Sequence, residues 1–374
     1  MMFFIPIRMH SKFFRAFFKN KKMRTKLIIL FSLIFVFQFN ATFAQGCEDT
    51  PPPTKKSKKA ATEEVTYPTV TVFGYFQPQY NYYFADAEDE NTFNFKRARF
   101  GVRGRLSKDF SYYAMIETSD FISSDGNVYL MDAFVTFDKY DWAKFSLGSF
   151  KQPFGLEVTT PCHGLTTINR SIVADQLVAP QRDMGLMMLG KDPSQKFSYS
   201  LALMNGRGLG TKDNNKKKDI IGRVTYQLFD FMTLGGSFRY GYPNNEDDDR
   251  TTFGGDVVLT YKGFKVQSEY IHDEGDYNRA AGGGCGSTPV ELGEKRQGAY
   301  VMASYDVNEK FQPVFKYEYF DADTDIKTLG YQEMLTLGVN YFFNKNTRLQ
   351  VNYQDHIEGG DYNSALLFQM QVKF

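Results

Sequence analysis

Four arginines share one face of a short alternating stretch of the chain. Arg97, Arg99, Arg103 and Arg105 all occupy odd positions, and successive side chains of a strand point to opposite sides. The even positions carry Ala98, Phe100, Val102, Gly104 and Leu106. In a membrane-crossing strand, a lipid-facing arginine near the midplane would cost roughly 2–4 kcal/mol, so the arginine face must meet water. A row of guanidinium groups along water is suited to attracting anions.

The same alternation recurs along most of the chain. At its end, positions 366, 368, 370, 372 and 374 are apolar, whereas 369, 371 and 373 are polar. Sixteen such segments, joined alternately by short turns and long loops, predict an all-β, 16-stranded antiparallel transmembrane β-barrel over residues 69–374. The predicted strands are 70–83, 92–106, 110–120, 128–138, 143–151, 184–191, 197–205, 218–227, 232–242, 251–261, 264–273, 296–305, 311–321, 331–342, 347–357 and 365–374.

The first residues predict export. An uncharged run of eleven residues, 27–37, follows a basic stretch and precedes a small-residue cleavage site at 42–44, so residues 1–44 are interpreted as a signal peptide. Met23 by itself begins a complete signal and is an alternative start. Lipoprotein processing at Cys47 is an alternative to cleavage after Ala44. Residues 45–68, rich in proline and lysine, are predicted to form a flexible periplasmic segment.

Export changes the charge balance of the protein. Eight of the 44 Lys and Arg residues lie in 1–44, which contains no acidic residue, so 36 basic residues remain against 43 acidic ones. A negative mature chain argues against nucleic acid as a partner. Three cysteines do not make a disulfide framework.

Further charged side chains are predicted to face the lumen. The alternation places five more basic residues there, namely Arg223, Arg239, Lys265, Lys316 and Arg348. It also places five acidic residues there, namely Glu117, Asp132, Asp256, Glu269 and Glu318. Either this basic excess gives a weak anion preference, or the charges pair with one another and solvate a wide wall. Lys96 falls on the lipid side, where it would have to extend toward the interface.

The longest connection is the third external loop, Gln152 to Asp183. The loop contains apolar residues that can pack, so its composition is not that of a disordered segment. They are Ile168, Ile172, Val173, Leu177 and Val178. We predict that this loop folds inward and narrows the lumen of a 16-stranded barrel, which is otherwise wide enough for an aqueous channel. Arg170, Arg182 and Asp183 are its candidate constriction residues.

Three short motifs in this region resemble a known family. They are Phe150-Lys151-Gln152-Pro153-Phe154-Gly155, Asn169-Arg170-Ser171 and Ala179-Pro180-Gln181-Arg182-Asp183-Met184-Gly185. In this order and spacing they resemble the phosphate-selective porin family (O/P type) of Gram-negative outer membranes, and the resemblance extends from about Val72 to Phe374. It implies a homotrimeric porin with an inward third loop and a ladder of lumenal Arg and Lys. The terminal Phe374 resembles the signal read by the barrel-assembly machinery.

The expected function is passive diffusion of small hydrophilic solutes and ions, with a weak anion or phosphate preference, through the outer membrane of a Gram-negative bacterium. The expected partners are outer-membrane lipid and small anions or polar solutes. No catalytic site, metal or cofactor is expected, because His163, His272 and His356 form no recognisable catalytic or zinc pattern. The alternatives are a structural or adhesin-like barrel with a plugged lumen, and a soluble secreted β-sandwich.

Overall fold

The computed structural model describes residues 66–84, 91–123, 126–277, 291–326, 331–358 and 364–374. These residues form a closed barrel of sixteen antiparallel strands, each paired with its neighbours in sequence, which confirms the predicted fold class. The predicted signal peptide lies outside the described residues, as does the predicted flexible segment up to residue 65. No helix among the described residues is long and apolar enough to cross a membrane.

The strands follow the predicted order with small shifts at their ends. They are β1 (Thr71–Tyr83), β2 (Thr92–Arg105), β3 (Phe110–Glu117), β4 (Tyr129–Tyr140), β5 (Ala143–Lys151), β6 (Arg182–Lys191), β7 (Phe197–Met204), β8 (Asp219–Phe229), β9 (Met232–Gly241), β10 (Arg250–Tyr261), β11 (Phe264–Gly275), β12 (Lys295–Tyr305), β13 (Phe311–Asp321), β14 (Tyr331–Asn344), β15 (Thr347–Glu358) and β16 (Ala365–Lys373). Short helices lie in the connections: α1 (Ser119–Ser123), α2 (Leu156–Thr159), a 3₁₀ turn (Cys162–Gly164) and α3 (Ile172–Leu177).

The barrel closes through its first and last strands, as the sequence predicts. In β1 and β16, Tyr75 lies opposite Lys373 and Tyr83 lies opposite Ala365. Phe374 follows the last residue of β16, yet its N–H donates to the Gly74 carbonyl and its own carbonyl accepts from Gly74 N–H, at 3.0 and 3.1 Å. A Cβ at Gly74 would lie 2.6 Å from the tip of the Phe374 ring, so glycine makes room for this aromatic terminus.

The two faces of the wall differ as the alternation predicts. In β16, Gln369 and Gln371 are 0 and 3% exposed on the inner face, whereas Phe368 and Val372 on the outer face are 36 and 37% exposed. Polar side chains inside and apolar side chains outside are the reverse of a soluble protein. A wall of this kind suits lipid on its outer side.

A β-bulge in β2 corrects one prediction. Arg97 lies opposite Gln77 but Phe95 lies opposite Pro78, so Lys96 is an extra residue in the strand. Pro78 has no N–H to donate to the ladder, and bulges occur where pairing is interrupted in this way. The alternation predicted along the whole of 92–106 is therefore interrupted at Lys96. The bulge shifts the alternation, and Phe93 becomes 83% exposed.

The short turns lie at one end of the barrel, which is the periplasmic end by the usual rule for outer-membrane barrels. The turn between β10 and β11 consists of Lys262 and Gly263, whose φ angles are 46° and 82°. Positive φ at both positions is typical of the tight hairpin turn that the sequence predicts there.

Candidate pore and third loop

The third loop, residues 152–181, connects neighbouring strands but binds to distant ones. Backbone N–H groups of Leu156, Ile168 and Ile172 donate to side chains of β11, β15 and β13, at 2.8, 2.8 and 2.7 Å. Their acceptors are Glu269, Asn352 and Glu318, which lie on the inner face of the wall. A connection between β5 and β6 that reaches these strands has to cross the barrel interior.

Two wall carboxylates hold the amino-terminal ends of the loop helices. Glu269 accepts hydrogen bonds from the N–H groups of Leu156 and Glu157 in α2, at 2.8 and 3.2 Å. Glu318 accepts the N–H of Ile172, the first residue of α3, at 2.7 Å. The first N–H groups of a helix lack partners within it and favour negative charge. The two acids therefore fasten the loop to the wall.

Two wall arginines hold the other end of α3. Arg239 donates to the Ala179 carbonyl at 3.0 Å, and Arg250 donates to the carbonyls of Ala179 and Leu177 at 2.8 and 2.6 Å. Positive charge is favourable at a helix carboxy-terminus. Arg239 was predicted to line the pore. Arg250 was missed, because the predicted strand began one residue later, although the alternation that includes Asp256 extends back to it.

A row of uncharged amides binds the middle of the loop. Asn340 and Gln350 donate to the Thr166 carbonyl at 2.9 and 3.2 Å, and Gln371 donates to the His163 carbonyl at 3.2 Å. These amides come from β14, β15 and β16. An amide side chain offers both donors and an acceptor, so it can satisfy a loop backbone that has no regular partner. None of these three residues was among the predicted pore-lining residues.

An apolar core forms between the loop and the wall. Phe154, Val158, Val173 and Leu177 are at most 1% exposed and belong to one buried cluster. The wall contributes inward apolar residues to it, among them Met204, Ile221, Ile271 and Phe320. The apolar loop residues of the sequence analysis, Ile168, Ile172, Val173, Leu177 and Val178, are all buried.

Glu269→Gln is expected to loosen α2, because the amide has one acceptor oxygen where the carboxylate offers two to Leu156 and Glu157. Hydrogen exchange at these two amides should accelerate, and open-channel current noise should rise. Asp256→Asn is the control, since Asp256 pairs with Arg223 at 2.6 Å and makes no hydrogen bond to the loop among the described residues. Unchanged exchange at α2 in the Glu269 variant would contradict a fastening role.

Five of the eight predicted pore-lining residues form ion pairs with wall carboxylates. The pairs are Arg99 with Glu117 at 2.5 Å, Arg105 with Asp138 at 2.8 Å, Arg223 with Asp256 at 2.6 Å, Arg239 with Asp219 at 3.0 Å and Lys316 with Glu318 at 2.9 Å. Of the other three, Arg97 donates to Gln77 Oε1 at 2.8 Å. The Arg103 guanidinium lies 5.3 Å from the Phe73 ring centroid. Lys265 has no carboxylate within 4.0 Å among the described residues.

The predicted constriction residues fall in two places. Arg170 lies within the loop, donates to the Glu157 and Thr160 carbonyls at 2.9 and 3.0 Å, and is 5% exposed. Its Nη atoms lie 3.5 Å from Cys162 Sγ, and Arg99 Nη1 lies 3.2 Å from the same sulfur. A loop arginine and a row arginine therefore meet at one thiol.

Arg182 and Asp183 are not in the loop, and that part of the prediction is wrong. They are the first residues of β6, opposite Lys151 and Phe150 of β5. The continuing backbone ladder of β5 draws them into the sheet. Arg182 pairs with Asp132 of β4 at 2.9 Å.

A charged cluster at the end of the barrel with the long loops was also missed. Asp273 bridges Arg250 and Arg296 at 2.8 and 2.5 Å, and all three side chains are at most 1% exposed. The Tyr277 ring lies 4.7 Å from the Arg250 guanidinium and 4.9 Å from that of Arg296. The Tyr277 hydroxyl donates to the Gln176 carbonyl of α3 at 2.5 Å. The cluster joins the wall, the connection that follows β11 and the third loop.

No metal centre is formed within the described ranges, where no group of three or more His, Cys, Asp and Glu side chains is placed to hold an ion. The His163 ring packs beside Tyr75, with centroids 5.0 Å apart. His272 lies 3.7 Å from a Glu274 carboxylate oxygen on the same strand. These are ordinary contacts of strand and loop histidines.

Sixteen antiparallel strands, an apolar outer face and a loop folded into the lumen define the porin class. A family model described as Gram-negative porin matches residues 44–359. The chain therefore belongs to the Gram-negative porin family, whose members are outer-membrane channels. No curated protein matches the chain in sequence.

Solved structures share this fold at low sequence identity. An anion-selective porin from Comamonas acidovorans has a TM-score of 0.63 at 14% identity and covers 82% of this chain and 99% of its own. OmpF of Salmonella typhi has a TM-score of 0.58 at 12% identity, with 82 and 97% covered. The outer membrane channel DcaP of Acinetobacter baumannii has a TM-score of 0.54 at 14% identity, also with 82 and 97% covered.

Proposed function

We propose that the protein is a passive diffusion channel for small hydrophilic solutes and ions, acting without turnover, metal or cofactor. The observation that carries this proposal is the water-accessible inner wall away from the loop. Polar residues on the inner faces of β4, β5, β7 and β8, among them Thr136, Lys144, Ser198 and Thr225, remain partly exposed. A plug filling the lumen at the level of these residues would bury their side chains.

Planar-bilayer recording of the purified protein tests this directly. We expect stepwise ion conductance, because water reaches the inner wall beside the third loop. A structural or adhesin-like barrel with a plugged lumen would insert without conducting, and that result would replace the channel proposal. Comparing chloride with phosphate as the anion in the same salt gradient then tests the resemblance to phosphate-selective porins.

A weak preference for anions is part of the proposal. It is supported by Arg103 and Lys265, which have no carboxylate within 4.0 Å among the described residues, and by the fold shared with a porin described as anion-selective. The ion pairs along the wall keep the preference modest, because each pair is nearly neutral at a distance.

A homotrimer and assembly through the terminal residue complete the proposal. The resemblance of the motifs to a trimeric family supports the trimer, as does the fold shared with OmpT of Vibrio cholerae, which was solved in a trimer form. The seating of Phe374 over Gly74 at the seam supports a role for this residue in completing the barrel, as recognition by the assembly machinery requires.

A further inference from the structure

We infer that Arg103 and Lys265 determine the charge selectivity of the pore. This inference rests on the proposed channel function. The arginine row of β2 suggests that selectivity is shared among many lumenal cations. Their contacts divide the eight predicted pore-lining residues into two groups. Among the described residues, Arg103 and Lys265 are the two of these eight that are partly exposed and have no carboxylate within 4.0 Å, so each keeps a charged head for water and passing ions.

Most lumenal cations are already engaged by the protein. Arg99, Arg105, Arg223, Arg239 and Lys316 pair with carboxylates at 2.5–3.0 Å. Others bond to neutral oxygens and hold the loop. Lys151 donates to the Val158 and Thr160 carbonyls at 2.9 and 3.0 Å, and Arg348 donates to the His163 and Leu165 carbonyls at 3.0 and 2.9 Å.

Two further acids, Glu269 and Glu157, bind backbone N–H groups of the loop. Glu269 accepts the two N–H groups of α2, and Glu157 accepts the N–H of Ser171 at 2.5 Å. Both carboxylates are 1% exposed. They lie between the loop and the wall, away from the partly exposed polar surface.

Arg103 and Lys265 differ from all of these. Both are partly exposed, and neither has a carboxylate within 4.0 Å among the described residues. Arg103 lies over the Phe73 ring, a contact through the guanidinium face that leaves its N–H donors available. The carboxylates that act on Lys265, those of Asp306 and Glu157, do so from beyond contact distance.

The two cations also lie where they can act together. Arg103 is opposite Thr71, the first residue of β1, and Lys265 is the second residue of β11, so both are near the end with the short turns. Strands β2 and β11 are on nearly opposite sides of the sixteen-stranded wall. Anions leaving or entering at this end pass between two positive charges.

An unpaired cation attracts a permeating anion over a longer range than a cation in an ion pair does. The field of an ion pair falls off as that of a dipole, whereas an unpaired charge acts over about 10 Å at 0.1 M salt. Two unpaired cations therefore outweigh five neutralised ones in attracting a permeating anion.

The test is the reversal potential of the double variant Arg103→Gln/Lys265→Gln in a potassium chloride gradient. We expect the wild-type preference for chloride to vanish, with the anion-to-cation permeability ratio falling to about one. The charge-keeping double variant Arg103→Lys/Lys265→Arg should retain the preference. Arg105→Gln/Asp138→Asn is the matched control, because it removes an ion pair that carries no net charge, with Arg105 two residues from Arg103 on the same face of β2.

An unchanged reversal potential in the Arg103→Gln/Lys265→Gln variant would overturn the inference, as would an equal shift in the Arg105→Gln/Asp138→Asn variant. Each single Gln variant should shift the potential part of the way. The absence of any conductance in the wild-type protein is a different result, and it would overturn the channel function itself.

Discussion

Replacing residues 154–179 by a two-glycine turn is expected to raise single-channel conductance several-fold. The third loop carries two helices and an apolar core into the lumen, and it binds the inner faces of β9–β16. Without it, the sixteen-stranded barrel encloses a water-filled channel of full width. The ends of the loop already meet, since Gln152 N–H donates to the Gln181 carbonyl at 3.0 Å, so a short turn can join them.

The barrel should survive this deletion. The wall groups that fasten the loop, Glu269, Glu318, Arg239 and Arg250, would then face water rather than remain buried and unpaired. The control is a deletion of residues 209–214 in the loop between β7 and β8. That segment contains exposed residues such as Lys212 and Asn214, and its removal should leave conductance unchanged. Equal conductance with and without the third loop would show that the loop does not limit ion flow.

Asp273→Asn is expected to destabilise the protein by roughly 3–5 kcal/mol, because it leaves two buried guanidinium groups without a counter-charge. Asp273 bridges Arg250 and Arg296, and all three side chains are between 0 and 1% exposed. The loss should appear as a lower denaturant midpoint for protein folded in lipid vesicles.

Asp138→Asn is a matched control with the same chemistry in a pair whose guanidinium is exposed. Asp138 pairs with Arg105 at 2.8 Å, but the Arg105 side chain is 37% exposed. Water can solvate that guanidinium when its partner is neutralised, so the expected loss is about 1 kcal/mol or less. Similar losses of stability in the two variants would mean that burial of the Asp273 cluster does not increase the cost of neutralising its carboxylate.

Much of this architecture could be predicted from local patterns. Alternation of side chains is a property of neighbouring residues in one strand, so the sixteen strands, the inner position of Arg97 and Arg99 and the pairing of the last strand with the first were all accessible. The composition of the third loop likewise predicted that its apolar residues pack. The bulge at Lys96 was not accessible, because it depends on Pro78 of the neighbouring strand lying opposite that point.

Tertiary structure decided what the charges do. Arg99 and Glu117 meet through the register of β2 with β3, and Ile172 meets Glu318 only because the barrel closes and the loop turns inward. Such contacts join residues far apart in sequence, and no local pattern encodes the distance between them. The sequence by itself therefore determined a barrel with charge facing water. Closure of the barrel determined which charges pair with one another and which hold the loop. It also left Arg103 and Lys265 without a carboxylate partner among the described residues.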